Sequence, residues 1–335
     1  MKNAIVLLTI LLYSCGSTDS NEILVSNYGY AQGTTYNISY MSPNAESYQT
    51  GIDSILHVVD LSMSTYIDSS IISKINRNES FETDTLFLRV LNTAIRIAEE
   101  TEGAFDPTIA PLVNYWGFGF KEIKEKNQAK LSELSEAVGY HKVSVLEGKI
   151  VKKNENTQLD FNAIAQGFTV DLVGEYLQKE GIKNYMVEIG GEVKCKGLNA
   201  DAKLWRIGVD KASETIQEDR FQAIIEVNNK SVASSGNYRK FKTDQVTGKK
   251  YAHTIDPKTG KSVQTNLLGV TIVMESCMQA DAYATAFMVM GIEASKSFLE
   301  KRNDIEALFV YTDSKGNWQH YQTKGFEEIT IYNSN

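Results

Sequence analysis

Two oxygen-bearing side chains lie within an otherwise apolar stretch near the end of the chain. Asp281 and Thr285 are four residues apart, and their neighbours in residues 280–290 are mostly alanine, methionine and aromatic residues. On a helix, residues four apart share one face, and a carboxylate buried in apolar surroundings needs a partner. Hard oxygen ligands of this kind suit Mg²⁺, which keeps water and substrate phosphates in its coordination shell. The pair therefore indicates a magnesium site for a phosphate-bearing ligand.

A histidine comes just before a turn-forming segment. His253 is one of four histidines in the chain, and Asp256, Pro257 and Gly260 follow it closely. Aspartate, proline and glycine in this order are typical of a tight turn. A lone histidine is more often a hydrogen-bonded structural residue than a catalyst, and the residues alone leave both roles open.

Three further stretches combine small residues with polar groups. Residues 103–112 hold two of the four prolines and lead into an aromatic run, which predicts a rigid, non-regular loop. Such a loop forms either a wall for a planar ring or a structural turn with an aromatic plug. Asp160 lies between a strand-like piece and a helix, where it can cap the helix or face a ligand. Gly190 and Gly191 permit close backbone approach, and a tight turn explains them equally well.

Interleaved helices and strands must position these residues. Apolar residues at helical spacing predict helices at residues 51–63, 86–100, 165–180 and 280–290. Strand-like runs lie within residues 25–41 and at residues 185–189, 205–209, 223–227, 269–274 and 307–312. The chain shows no repeat, no long linker and no clean internal boundary. The pattern therefore predicts a single α+β domain of mixed sheets with packed helices.

Composition excludes several classes of protein. Of the 335 residues, 42% are hydrophobic and 23% are charged, as in an ordinary soluble globular protein. The formal net charge of −8 argues against binding to a nucleic acid backbone. The three cysteines, at positions 15, 195 and 277, are too few for a disulfide framework. Cys195 and Cys277 are either buried thiols or one disulfide.

The N-terminus has the features of an export signal. Lys2 precedes an apolar run at residues 4–12, which is shorter than the roughly 20 residues that a membrane-spanning helix needs. The run ends in Leu-Tyr-Ser-Cys at Cys15, which resembles a bacterial lipobox. We therefore expect a signal peptide at residues 1–14, lipidation of Cys15, a tether at residues 15–24 and a folded domain at residues 25–335. The alternative is an ordinary secretory signal with a chance cysteine.

Taken together, the motifs resemble the ApbE-like family, bacterial FAD:protein FMN transferases of which many are lipoproteins. The resemblance extends from about Gly33 to Gly291 and rests on GTTY, STYIDSSIISKIN, GAFDPTIAPLVNYWGFG, LDFNAIAQGFTVD, VEIGGEV, SSGNYRKF, HTIDPKTGKSV and ADAYATAFMVMG, in that order. It implies one T-fold-like catalytic domain. The order of the motifs is more specific than any one of them alone.

The resemblance also implies which residues form the site. The positions that match the FAD contacts of the family are Gln32, Tyr66, Ala104, Phe105, Asp106, Asp160, Gln166 and Ile255. The positions that match its metal ligands are Asp281, Thr285 and the backbone carbonyl of Ala163. Gln32 stands where methionine is frequent, and Asn162-Ala163 replace a commoner pair of small residues. Gln166 replaces a frequent lysine, so Mg²⁺ and backbone N–H groups must balance more of the nucleotide charge.

The activity that the resemblance implies is transfer of FMN from FAD to a serine or threonine hydroxyl of a partner protein, with release of AMP. Mg²⁺ would bridge pyrophosphate oxygens. The hydroxyl needs a base, for which His253 is the first candidate and Asp256 the second. The implied partners are exported flavinylated subunits of sodium-pumping NADH:quinone oxidoreductase or of RNF-type complexes. The enzyme would be lipid-anchored on the cytoplasmic membrane and face the periplasm.

Two alternatives stay open at this point. In the first, water attacks at the same site, and the protein is an FAD pyrophosphatase that releases FMN and AMP. In the second, the chain is a periplasmic flavin-binding lipoprotein without turnover. Asp281, Thr285 and His253 argue against the second alternative, because a carrier needs neither a metal nor a base at the pyrophosphate.

Overall fold

The computed structural model describes residues 22–333, apart from residues 122, 125, 213–219, 238–240 and 244–249. The expected signal peptide, Cys15 and most of the expected tether therefore lie outside the described residues. Within the described residues, no helix is both long enough and apolar enough to span a membrane.

The helices of the described chain are α1 (Gln49–Met63), α2 (Ile71–Asn76), α3 (Thr85–Glu100), α4 (Ala110–Trp116), α5 (Gln128–Ser135), α6 (Ala165–Lys179), α7 (Cys277–Met290), α8 (Ile292–Leu299) and α9 (Lys324–Ile329). The strands are β1 (Ile23–Ala31), β2 (Thr34–Ser42), β3 (Val143–Leu146), β4 (Lys149–Lys152), β5 (Tyr185–Ile189), β6 (Glu192–Lys196), β7 (Trp205–Asp210), β8 (Phe221–Val227), β9 (Lys230–Gly236), β10 (Phe241–Thr243), β11 (Lys250–Ala252), β12 (Leu267–Met274), β13 (Glu306–Thr312), β14 (Trp318–Gln322) and β15 (Thr330–Asn333).

A large antiparallel sheet forms the centre of the fold. Among the described residues it has eight strands, in the order β1-β2-β5-β6-β9-β12-β13-β14. Alternate residues of each strand pack on opposite faces. On β12, Ile272 packs among the helices, whereas Val273 packs against a second sheet. This second sheet, in the order β15-β8-β7, covers the other face of the main sheet.

Helices α1, α3, α6 and α7 lie on the first face of the main sheet. Helix α3 shows why this side is stable, because residues spaced at helical intervals on it are fully buried, namely Phe87, Val90, Leu91, Ala94, Ile97 and Ala98. The Asp84 side chain accepts a hydrogen bond from the Phe87 N–H and so caps the N-terminus of the helix. Helix α7 is apolar on nearly all sides and packs against α6, β9 and β12, as a core helix does.

The predicted α+β class is confirmed, and the four predicted helices correspond to α1, α3, α6 and α7. The prediction of an irregular loop at residues 103–112 is wrong in part, because α4 begins at Ala110. Pro111 lies in the first turn of α4. Backbone N–H groups at this position have no partner within the helix, so the absence of an N–H in proline costs no hydrogen bond. Strand β1 includes Ile23 and Leu24, which the sequence analysis placed in the tether. Cys195 and Cys277 are buried free thiols.

Candidate active site

The centre of the site is the contact between the start of α6 and the first turns of α7. The side chain of Asp281 on α7 is buried, and the Gly167 N–H of α6 donates to its Oδ2 atom over 3.2 Å. Thr285 lies one turn further along α7 and is half-buried. The structure therefore brings the expected metal ligands Asp281 and Thr285 to the N-terminal end of α6.

The same hydrogen bond satisfies one of the free N–H groups at the start of α6. Helix α6 begins at Ala165, so Gly167 is its third residue, and the first N–H groups of a helix have no partner within it. Asp281 accepts this one, while the next N–H, that of Phe168, donates to the Ile164 carbonyl. Ala163 lies just before the helix, two residues ahead of its first residue. This residue is the third expected metal ligand.

Helix α7 is positioned by an aspartate on α6. Asp171 Oδ1 accepts from Lys194 Nζ at 2.6 Å and from the Cys277 N–H at 3.1 Å. Asp171 Oδ2 accepts from the Ser276 hydroxyl at 2.8 Å and from the Met278 N–H at 3.0 Å. The carboxylate therefore caps the N-terminus of α7 from the neighbouring helix, where negative charge is favoured.

The sequence pattern gives Asp171 no role. At 100° per residue it lies away from the apolar face of Val170, Val173 and Leu177, yet its side chain is buried. A charged side chain at such a position must have partners. What the sequence could not identify was which partner, since Lys194 and α7 are distant along the chain.

Close approach of α6 and α7 requires a glycine. A Cβ atom at Gly167 would lie 2.4 Å from the Cys277 carbonyl oxygen and 2.9 Å from the Asp281 Cβ. Neither atom belongs to the end of a flexible side chain, so any side chain at this position would push the helices apart. Gly167 therefore sets the distance at which its own N–H reaches Asp281.

Burial makes the charged form of the Asp281 carboxyl group unfavourable. Burial raises the pKa of its carboxyl to about 7, and the Gly167 N–H opposes this effect only in part. Within the described residues, His, Cys, Asp and Glu side chains form no cluster of three or more suited to a metal. A cation at Asp281 would therefore be held by a single carboxylate together with neutral oxygen atoms. Such a donor set leaves positions for water and phosphate, which is the coordination that Mg²⁺ favours.

Gln32 and Gln166 both contact or belong to the N-terminal half of α6. Gln32 is in the two-residue turn between β1 and β2, with φ of 53°, and its Nε2 donates to Thr169 Oγ1 at 2.7 Å. Gln166 Nε2 donates to the Ile189 carbonyl at 3.2 Å and lies directly over Gly190. Gly190 therefore makes room for the Gln166 side chain.

Asp160 joins two of the predicted contact segments. Its N–H donates to the Pro107 carbonyl at 2.8 Å, and its Oδ1 accepts the Asn162 N–H at 2.8 Å. The expectation that Asp160 caps the following helix is wrong, because α6 begins at Ala165 and the carboxylate closes a turn before it. Partial burial and the nearby charge of Asp160 raise the pKa of the Tyr66 phenol, whose side chain is 66% exposed. Tyr66 therefore presents an open ring beside Asp160.

The carboxylate of Asp106 holds its own loop in place. Its Oδ1 accepts the N–H and the hydroxyl of Thr108 at 2.8 and 2.6 Å, and its Oδ2 accepts the Tyr140 N–H at 2.8 Å. Burial raises the pKa of Asp106, and these hydrogen bonds work in the opposite direction. Ala104 and Phe105 are buried as well. The segment is therefore rigid, as both interpretations of its sequence require.

The segment around His253 packs against α4. Ile255 is buried in a cluster with Leu112 and Tyr115, and the Trp116 indole N–H donates to the Gly260 carbonyl at 2.8 Å. The His253 ring lies edge-on to the Phe118 ring, with centroids 6.3 Å apart. His253 and Ile255 are therefore held against α4 and the aromatic residues that follow it.

Asp256, the second candidate for a base, is part of the turn itself. Its Oδ1 accepts the Lys258 N–H at 2.9 Å, and its Oδ2 accepts the Thr259 hydroxyl at 2.8 Å. Both oxygens of the carboxylate are thus used to close the turn. Asp256 therefore has a structural role in the turn.

Comparison with known proteins agrees with this arrangement. The sequence profile of the ApbE family matches residues 32–309. The FAD:protein FMN transferase of Vibrio cholerae is 37% identical over 336 residues, which cover 98% of this chain and 98% of the relative. The FAD:protein FMN transferase of Haemophilus influenzae is 35% identical over 92% of this chain and 93% of the relative.

Solved structures show the same fold. The flavin transferase ApbE from Vibrio cholerae superposes with a TM-score of 0.82 at 36% identity and covers 92% of this chain and 99% of its own. The apo flavinyl transferase ApbE from Pseudomonas stutzeri superposes with a TM-score of 0.80 at 29% identity, over 93% of this chain and 98% of its own. The chain therefore belongs to the ApbE family, as its motifs predict, and is a transferase enzyme.

Proposed function

We propose that this transferase moves the FMN half of FAD onto a serine or threonine hydroxyl of a partner protein, releases AMP and depends on Mg²⁺. The relatives named FAD:protein FMN transferase support the transfer itself. The observation that carries the proposal is the hydrogen bond from the Gly167 N–H to Asp281. It holds a buried carboxylate against the first turn of α6, which begins two residues after Ala163.

The residues present fit a magnesium ion. Asp281 would supply its carboxylate, Thr285 its hydroxyl and Ala163 its carbonyl, all of them hard oxygen ligands. A cation there would also offset the burial that raises the pKa of Asp281. When bound, Mg²⁺ supplies charge stabilisation for the pyrophosphate oxygens of FAD. The low positive charge of the site, with Gln166 in place of a lysine, makes this contribution more important.

The remaining chemistry requires this chain to hold FAD and to move one proton. The acceptor hydroxyl oxygen forms a bond to the phosphorus of the FMN half, and the bond from that phosphorus to the AMP oxygen breaks. The hydroxyl proton must leave as its oxygen attacks, and we assign its removal to the His253 imidazole. The proposed FAD contacts are Gln32, Tyr66, Ala104, Phe105, Asp106, Asp160, Gln166 and Ile255. Among them, Tyr66 offers an exposed ring and residues 104–106 a rigid wall.

The proposed location is the periplasmic face of the cytoplasmic membrane, with a lipid on Cys15. Seven residues lie between Cys15 and the first residue of β1, and the eight steps from one Cα atom to the next, at most about 3.6 Å each, reach roughly 29 Å. Such a tether would keep the domain close to the bilayer. We propose exported flavinylated subunits of NADH:quinone oxidoreductase or RNF-type complexes as the acceptors, since they share this compartment.

The transfer is tested with purified protein, FAD, Mg²⁺ and a peptide that contains one serine or threonine. We expect the peptide to gain the mass of an FMN phosphoester and AMP to appear in equal amount. A peptide with alanine at the same position is the control and stays unlabelled. Release of free FMN without labelling would identify a pyrophosphatase instead, and unchanged FAD would identify a binding protein. Either result contradicts the proposal.

The metal site is tested through the titration of Asp281. Because its folded-state pKa is raised to about 7, the folded protein holds this proton more tightly than the unfolded chain does. Wild-type protein therefore loses stability as the pH rises through about 7, and Asp281→Asn removes that loss. In EDTA, the Tm of the variant relative to wild type should increase from about pH 5 to about pH 8.

Addition of Mg²⁺ at the higher pH should then raise the Tm of wild type and leave that of Asp281→Asn unchanged. The exposed Asp201 provides the control variant Asp201→Asn, which should follow wild type in both experiments. A Tm difference that does not depend on pH would contradict the buried carboxylate. An equal response of both proteins to Mg²⁺ would contradict its role as a ligand.

The base is tested with His253→Ala. General base catalysis typically contributes about 10²–10⁴-fold, so kcat should fall by that factor while the Kd for FAD changes little. At saturating Mg²⁺, which would keep Asp281 ionised, the acid limb of the pH–rate profile should also disappear in the variant. His320→Ala, at an exposed histidine of β14, is the matched control. A weaker FAD affinity with an unchanged acid limb would show that His253 only supports the turn next to it.

The anchor is tested with Cys15→Ser. The variant should leave the membrane fraction and keep its transferase activity, because every proposed site residue lies at or beyond Gln32. The experiment compares the pellet and the supernatant after a salt wash. If the variant stays in the pellet, the lipid is not what holds the protein at the membrane.

A further inference from the structure

The first strand of the main sheet presents a free edge. Within the described residues, β1 pairs only with β2, in a register that places Ala31 opposite Thr34. In an antiparallel sheet, the N–H and C=O groups of successive residues point alternately to the two neighbouring strands. The Gly190 N–H donates to the Thr35 carbonyl, so the odd-numbered residues of β2 bond to the β5 side. The even-numbered residues of β2 therefore bond to β1. The N–H and C=O groups that point outwards from β1 are therefore those of Leu24, Ser26, Tyr28 and Tyr30.

This edge lacks the features that usually prevent strands from pairing with it. Edge strands are commonly short, charged, interrupted by proline or covered. Strand β1 is nine residues long and contains no charged residue and no proline. The opposite edge, β14, has five residues. The side chains of Tyr28 and Tyr30 are 67% and 87% exposed, so two aromatic rings stand beside the outward backbone groups.

The edge leads directly to the proposed metal site. Strand β1 ends at Ala31, and the next residue, Gln32, donates to Thr169 on α6. The Thr169 hydroxyl in turn donates to the Ala165 carbonyl at 2.7 Å, two residues after Ala163. A chain that added to β1 as a further strand, about 4.8 Å away, would therefore emerge beside the N-terminal half of α6.

We propose that the outer edge of β1 binds an extended segment of the acceptor protein as an added strand and so directs its hydroxyl residue towards the site. This inference rests on the proposed transfer, which requires a protein chain to enter the site. An extended segment matches the unpaired N–H and C=O groups by backbone hydrogen bonds, which demand little of its sequence. Tyr28 and Tyr30 would contact side chains on one face of that segment.

Hydrogen exchange tests this docking without any substitution. The probe is an exported flavoprotein subunit that wild-type protein labels with FMN. On its addition, the amides of Leu24, Ser26, Tyr28 and Tyr30 should become protected, whereas those of β14 should not change. Protection that is already present in the isolated monomer would mean that the protein's own preceding residues cover the edge. Protection that depends on protein concentration would mean that a second copy does. Both results overturn the proposal.

Substitution tests the same edge through kinetics. Tyr28→Pro removes one outward N–H at a position where an edge strand tolerates proline, and Tyr28→Phe keeps both the N–H and the ring. We expect Tyr28→Pro to raise the KM for the acceptor at least tenfold and to leave the Kd for FAD unchanged, while Tyr28→Phe behaves as wild type. If Tyr28→Pro does not fold, the double variant Tyr28→Lys with Tyr30→Lys replaces it. We expect the same rise in the KM for the acceptor, because lysine on an edge strand opposes the addition of another strand.

The outcomes separate this inference from the function on which it rests. If wild type labels no acceptor although it binds FAD, the proposed transfer fails. If wild type labels the acceptor and the β1 variants do so with an unchanged KM, the transfer stands and the docking edge is overturned.

Discussion

The carboxylate of Asp171 binds the first turn of α7 to the side of α6. It accepts two backbone N–H groups of α7, the Ser276 hydroxyl and the Lys194 ammonium group. Buried ion pairs of this kind contribute mainly by fixing one arrangement, and loss of one partner leaves an uncompensated charge, at a cost of about 3 to 5 kcal/mol. Because α7 carries Asp281 and Thr285, the position of both depends on this one cap.

Gly167, four residues before Asp171 on α6, sets the distance between α6 and α7. It allows the two helices to approach until the backbone N–H meets Asp281. Asp281 is held in a buried place where its charged form is unfavourable. A divalent cation bound there, as we propose, would offset that cost.

Much of this arrangement could be predicted from local patterns. Strong helical spacing located α3 and α6, and a continuous apolar run located α7 around Asp281. The predictions were wrong where one local sequence pattern fits two different structures. Pro111 suggested a loop, yet proline is equally suited to the first turn of a helix. Asp160 suggested a helix cap, but its carboxylate closes a separate turn. The role of Asp171 depends on residues far away in the chain, and no local pattern identifies such partners.

The central claim is that the close contact of α6 and α7 makes the cation site. The most direct test is the Mg²⁺ affinity of Gly167→Ala, measured by calorimetric titration on protein whose circular dichroism is that of wild type. Lys179→Ala, at an exposed position near the end of the same helix, is the control. We expect Gly167→Ala to bind Mg²⁺ at least about tenfold more weakly, since the helices must separate, and Lys179→Ala to bind as wild type. An unchanged affinity in Gly167→Ala would contradict the claim.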